Sequence, residues 1–177
     1  LNHGGCEMGQ GLNTKVAQVV AEAFQCDISN IKITRTTTEK VPNTSATAAS
    51  SGTDLNGMAA LDAAEQIKAR LVAFVAERWQ QPREDVQFVP GHIRAGDHLI
   101  PWNEVIAAAY MARIHLSAAG FYKTPKIHWD RATGRGRPFY YYAYGAAVSE
   151  VSVDTLTGEY VIDRADMIHD VGRSLNP

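Results

Sequence analysis

Apolar residues in the first half of this chain recur mostly at helical spacing, and in its last third they alternate as they do in strands. From Leu12 to Phe24, Val16, Val19, Val20, Ala23 and Phe24 fall three to four residues apart, which predicts a helix with one buried face. A longer helical pattern runs from about Thr47 to Trp79, with Leu55, Met58, Ala59, Ala63, Ile67, Leu71, Phe74, Val75 and Trp79 on one side. Between the two, "NIKITRTTTEK" alternates as a strand until Pro42 and Asn43 break it. "VQFVPGHIRAGDHLI" predicts a hairpin turning near Ala95, Gly96 and Asp97, and "WNEVIAAAYMAR" a short helix. "KTPKIHWDRATGRGRP" reads as a linker. After it, "PFYYYAYGAAVSEVSVDTLTGEYVIDRADMIHD" is dense in aromatic and β-branched residues and turns at Thr155 to Gly158, which predicts long antiparallel strands. Helices and strands are thus segregated, and the fold class expected is α+β, with helices packed on a mixed, largely antiparallel sheet.

The segment directly before the first helix, "HGGCEMGQGLNTK", is the strongest chemical signal. Small residues at such a turn let backbone N–H groups approach a ligand, and a helix N-terminus adds roughly half a positive charge. A dinucleotide-binding fingerprint on Gly9 and Gly11 would need Gly or Ala at position 14, where Thr14 stands. A phosphate-binding P-loop counted from Gly4 reaches Gly9 in register but then meets Gln10 and Gly11 in place of Lys and Ser or Thr. A tight turn with no ligand stays open as the alternative. Gln10 weighs against it, because a long amide between two glycines packs poorly but can donate to and accept from a heteroatom-rich ligand. "NTSATAASSGTD", Asn43 to Asp54, places hydroxyls at the start of the long helix, with Ser51 and Asp54 at capping-box spacing.

Composition limits the partners. A net charge of −2 offers no global positive field for nucleic acid or an anionic membrane, and no apolar run approaches the roughly 18 residues of a membrane span. Two cysteines, Cys6 and Cys26, make neither a disulfide framework nor a zinc site and fit a soluble, cytoplasmic protein. His3, His92, His98, His115, His128 and His169 lack metal-binding spacing and are expected in surface or satisfied-core roles. The pair His169 and Asp170 reads as a strand-end structural pair, and Arg131, Arg135 and Arg137 as a solvated loop. The run Phe139 to Tyr144 reads as sheet core and subunit contact. The chain opens on Leu1 and stops at Pro177 directly after an apolar segment, so residues 1–177 read as one domain cut at both ends from a longer polypeptide.

Four stretches, "GGCEMGQGLNTK", "VPNTSATAASSGTDLNG", "FYYYAYGAAVSEVSVDTLTG" and "HDVGRSLNP", together resemble the molybdenum-cofactor-binding region of the xanthine dehydrogenase and aldehyde oxidase family, in the family's order and over nearly the whole chain. The resemblance implies that Met8, Gly9 and Gln10 line molybdopterin, in its simple or cytosine dinucleotide form. It implies equally that Ala48, Ala49, Ser50, Ser51, Gly52 and Thr53 lie at the pterin and its phosphate, with Gln10 and Ala49 near the molybdenum. "NTSATAAS" is more similar to xanthine dehydrogenases than to aldehyde oxidases or carbon monoxide dehydrogenases, which implies a purine substrate, hydroxylated with water as the oxygen source. Electrons would leave through iron–sulfur clusters and FAD in other parts of the enzyme, and the assembly would be a homo-oligomer.

The family's catalytic glutamate lies C-terminal to "LNP", and its substrate-gripping Glu, Arg and Phe lie upstream of "GGCEMGQG", so no catalytic residue is assigned here. Glu7 is expected to be a loop carboxylate bonded to nearby backbone, and Cys6 stands where relatives usually carry Thr. An aldehyde oxidase-type hydroxylase, and a binding or assembly module whose glycine turn is purely structural, are the alternatives.

Overall fold

In the computed structural model, which describes residues 1–40 and 44–176, the chain divides into two compact units, Leu1–Lys123 with Asn176 and Thr124–Leu175. The first unit contains all three α-helices among the described residues. α1 spans Leu12–Phe24, as its periodicity predicts, and opens on Gly11, whose φ of 74° lies in the left-handed region that glycine adopts without strain. It closes on Gln25, also left-handed, whose N–H bonds back to Ala21 and Glu22 carbonyls.

α2 spans Gly52–Arg78, so it starts five residues later than the pattern from Thr47 suggests. Residues 44–51 are spent on a loop instead. The face of α2 against α1 is built from Gly57, Ala60 and Ala64 rather than from Met58, which is exposed. Small residues win there because the helices approach closely: a Cβ on Gly57 would stand 3.5 Å from Val19. Leu12, Val16, Val20 and Ala60 form the core between α1 and α2, with Leu1, Phe24 and Ile31 packed on its rim.

The expected single hairpin is a three-stranded antiparallel sheet, β1 (Val86–Val89), β2 (His92–Ala95) and β3 (His98–Pro101), in the order β1-β2-β3. A second turn at Pro90 and Gly91, where Gly91 takes φ 71°, cuts the first half of the expected hairpin in two. α3, Trp102–Met111, follows directly. Ile93, Ala95 and Ile100 from the sheet, Val105 and Ala109 from α3, and Leu71, Phe74 and Val75 from α2 close the second core. The threonine-rich stretch from Ile31 does not form a regular strand. It runs extended beside the N-terminus, where Leu1 donates to the Lys32 carbonyl (2.8 Å) and Thr34 N–H to that of Leu1 (3.0 Å). The break assigned to Pro42 and Asn43 lies outside the described residues.

The second unit holds two antiparallel pairs, β4 (His128–Asp130) with β5 (Arg135–Arg137), and β6 (Gly145–Val153) with β7 (Tyr160–His169). The segment read as a linker therefore contains a short hairpin, with Arg135 and Arg137 on its second strand. Phe139 to Tyr144 precedes β6 outside any strand and is exposed, so it is not sheet core. Its rings pack on one another, Phe139 edge-on to Tyr142 at 6.0 Å. The Asp170 carboxylate accepts from Gly172 N–H at 2.8 Å, which leaves it turned from His169 to its own loop. The α+β class holds, and every strand pair among the described residues is antiparallel.

Candidate functional site

The glycine-rich segment is a turn held from inside. Glu7 Oε1 accepts the backbone N–H groups of Gly9 and Gly11, both at 3.0 Å, and its Oε2 accepts that of Asn13 at 2.9 Å. The carboxylate therefore covers the free N–H groups at the start of α1, where a negative charge meets the positive end of the helix. Those bonds, that of Asn13 foremost, hold the Glu7 carboxyl below the usual carboxylate range. Glu7 is the backbone-bonded loop carboxylate expected from the sequence, and it means that the anion at α1 is the chain's own.

Gln10 sits in the same turn with both ends of its amide engaged. Its Oε1 accepts from Met8 N–H at 2.6 Å and its Nε2 donates to the Cys6 carbonyl at 2.9 Å. The bonds brace Met8 and Gly9 in an exposed bend, with Gly9 at φ 97°. No atom lies within 4 Å of the position a Gly9 Cβ would take, so the backbone there is open to whatever approaches.

The second segment meets the first through one hydrogen bond between loops: Cys6 N–H donates to Thr47 Oγ1 at 2.9 Å. Gly4 lies against the Thr44 side chain, and Gly5 against Leu12 and Asn56, so closely that a Cβ on either would overlap its neighbours. Glycine at 4 and 5 is thus a packing requirement, whereas at 9 and 11 it is a conformational one.

At the start of α2 the arrangement differs from that at α1. Ser51 is the N-cap, but with φ −105° and ψ −3° it is already near helical, and its hydroxyl donates backwards to the Ala48 carbonyl at 3.1 Å. The capping box expected between Ser51 and Asp54 does not form, because the serine oxygen is turned from the helix, and no side chain among the described residues caps α2. Asp54 Oδ1 is buried with no hydrogen-bond partner. Ala49 is held at φ 54°, which a non-glycine residue adopts at a cost on the order of 1 kcal/mol. Uncapped N–H groups, an unanswered acceptor and a strained residue therefore lie together between Ala48 and Asp54.

His3, Asn13, Thr47 and Asn56 support both segments and were not singled out as a group from the sequence. The histidine is the satisfied, buried residue expected of it. The asparagines and Thr47 carry no local signal, since what they support is distant in sequence: His3 lies 10 residues from Asn13, Cys6 lies 41 from Thr47, and Gly5 packs on Asn56.

The family model of the molybdopterin cofactor-binding domain matches residues 1–177. The chain is 47% identical over 177 residues to the xanthine dehydrogenase of Oryza sativa subsp. japonica, and 45% identical over 180 residues to that of Dictyostelium discoideum. In both cases the match takes in all of this chain and spans 12% of the relative's length. Among solved structures, a Cu,Mo-containing CO dehydrogenase superposes with a TM-score of 0.77 at 23% identity, over 99% of this chain and 22% of that one. Quinoline 2-oxidoreductase from Pseudomonas putida 86 gives 0.73 at 19%, over 99% of this chain and 22% of that one. These two likenesses speak to the fold.

Proposed function

The chain belongs to the molybdopterin cofactor-binding domain family, and on that premise we propose that it forms part of the cofactor-holding wall of a xanthine dehydrogenase-type molybdenum hydroxylase. In this reading Met8, Gly9 and Gln10 line the cofactor, and Ala48, Ala49, Ser50, Ser51, Gly52 and Thr53 hold its pterin and phosphate, with Gln10 and Ala49 nearest the molybdenum. The observation that carries it is the contrast between the two helix starts. Glu7 fills the anion position at α1, while α2, across the Cys6–Thr47 bond, has no side-chain cap among the described residues. A phosphate is the kind of group that helix-start N–H groups bind, which supports the assignment of the pterin phosphate to this segment.

When bound, the cofactor supplies the redox centre at which a purine carbon is hydroxylated with oxygen from water. The chain's own residues bind and orient it. The Glu7 bonds fix the turn, the Gln10 amide keeps the Met8–Gly9 backbone outward, and the Gly52–Asp54 N–H groups neutralise phosphate charge. A substrate of the xanthine and hypoxanthine class is part of this proposal, supported by the 47% identity to a xanthine dehydrogenase. Electron transfer to iron–sulfur and FAD parts belongs to the rest of the longer enzyme.

Ser51→Asp in that enzyme tests the reading. The new carboxylate caps α2 as Glu7 caps α1, worth about 0.5 to 1 kcal/mol to the helix. It also stands where the phosphate would, so molybdenum bound per polypeptide should fall by at least roughly tenfold through like-charge repulsion. A variant that melts no lower than wild type but has lost molybdenum supports the proposal. Wild-type molybdenum content would overturn it.

A further inference from the structure

His3 is 6% exposed and is the one buried polar or charged residue among those described. Its ring faces three elements. Nδ1 accepts the N–H of Gly5 at 3.2 Å, in the glycine turn. Nε2 lies 3.1 Å from Oδ1 of Asn13, in the first turn of α1. The Asn56 side chain, on α2, bears on the ring and packs against Gly5, where a Cβ would stand 2.7 Å from Asn56 Nδ2. Its carbonyl, with that of Gly5, accepts from Thr36 Oγ1 at 3.3 and 3.2 Å.

The chemistry of the ring follows from these partners. A backbone N–H can only donate, so Nδ1 must be unprotonated and the ring hydrogen sits on Nε2, pointing to Asn13. The neutral imidazole with that tautomer satisfies both bonds, and the imidazolium cannot, because a proton on Nδ1 would face the Gly5 N–H. Burial pushes the His3 pKa below its ordinary value, against the Asn13 and Asn56 amides and the Glu7 charge, which act the other way. The charged groups bearing on the ring are the Glu7 carboxylate, in the turn, and the Leu1 ammonium; α1 and α2 present only the uncharged amides of Asn13 and Asn56.

Resting on the proposed function, we infer that His3 is the positioning residue of the cofactor turn: as a neutral imidazole it ties the turn to the first turn of α1 and holds Gly5 against Asn56 of α2, and so sets the distance between the Met8–Gln10 backbone and the segment at the start of α2. The turn has few other anchors. Glu7 and Gln10 bond within the turn and to α1; among the described residues the ties to the α2 side are the Cys6–Thr47 bond and the packing of Gly5, held by His3, on Asn56. Protonation of His3 would release the Gly5 N–H and weaken one of those two ties. The sign follows: the folded pKa is depressed, so this contribution is complete above the ordinary imidazole value near 6.5 and is lost as pH falls toward the folded value.

The test uses the full-length enzyme with its cofactor, comparing wild type with His3→Gln and His3→Leu. Molybdenum remaining per polypeptide is followed over time at pH about 7.5 and about 5.5, on either side of the unperturbed imidazole pKa, with melting temperature measured alongside. Wild type should lose molybdenum faster at the lower pH, by up to roughly tenfold per pH unit as the protonated fraction grows. His3→Leu should lose it fast at both values, and His3→Gln, which reaches Asn13 but offers Gly5 no Nδ1, at an intermediate rate with no dependence on pH in this window. Variants that retain molybdenum as wild type does, or that melt lower yet lose it with the wild-type pH dependence, overturn the role of His3. Wild-type enzyme that carries no molybdenum at all would instead overturn the cofactor reading beneath it.

Discussion

Glu7 shows how one carboxylate decides what a glycine-rich turn is free to bind. A carboxylate held by three N–H groups at a helix start is worth more to the fold ionised than protonated, because only the ionised form accepts from all of them. Its pKa is depressed, so its contribution is present above the ordinary value of 4.5 and is lost as pH falls through the lower, folded value. Glu7→Gln keeps the reach and the shape but not the charge. The variant should therefore melt below wild type at neutral pH, and the two melting curves should converge in acid, where wild-type Glu7 has taken up its proton. Curves that stay parallel from neutral pH into acid would show that the charge contributes nothing. That Glu7 bonds to nearby backbone was readable from its place inside a glycine turn. The role of His3 was not, since Asn13, which anchors it, and Asn56, on which Gly5 packs, are ordinary helix residues until the two helices are packed.

Elements show the same division between what spacing determines and what packing adds. α1 was legible to the residue, because a left-handed glycine at one end and a steady apolar stripe leave few other solutions. The start of α2 was not, since helix-forming alanines extend back to Ala46 while the backbone between 44 and 51 is committed to Thr47, Ala48 and the left-handed Ala49. Alternating threonines also misled: Thr36 spends its hydroxyl on the carbonyls of His3 and Gly5, so the segment braces the turn in place of a ladder. The two cores of the first unit consequently differ in what they support. Leu12 is fully buried beneath the turn, within contact distance of the backbone at Gly5 and Gly52, whereas Leu71 is fully buried in the core between α2, α3 and the three-stranded sheet. Leu12→Ala and Leu71→Ala should each cost about 2 to 5 kcal/mol of stability. Only Leu12→Ala should also lower molybdenum content at temperatures where both variants remain folded. Equal molybdenum loss in the two would mean that the site senses global stability and not the floor of the turn.

For the molecule as a whole, the second unit raises the question of what its strands face. The register of β6 on β7 shifts between Glu150 and Val151, leaving Asp163 as the extra residue of a bulge, with Ser152 Oγ donating to its carboxylate at 2.6 Å. Because Val151 pairs with Ile162 and Ser149 with Ala165, the bulge returns the chain to phase. Ala147, Val151, Val153, Tyr160, Ile162 and Met167 then share one face, while the other mixes Ala146, Val148, Val161 and Ile168 with Glu150, Arg164 and Asp166, of which Arg164 and Asp166 pair at 2.6 Å. A straight ladder would have paired Val151 with Asp163 and turned Ile162 and Tyr160 to the face of Glu150. Yet every residue of both strands is exposed, Ile162 by 63% and Met167 by 77%. A two-stranded ribbon of this kind is marginal in water by itself, and an apolar face in register favours association with another like it. The 177-residue chain produced alone should therefore form dimers or larger assemblies across this face. Val151→Lys with Ile162→Lys, a cross-strand pair of like charges at its centre, should return it to monomer. Light scattering over a concentration series decides it: a wild-type monomer at high concentration would show that the face needs no cover, and assemblies that survive the double substitution would place the contact elsewhere.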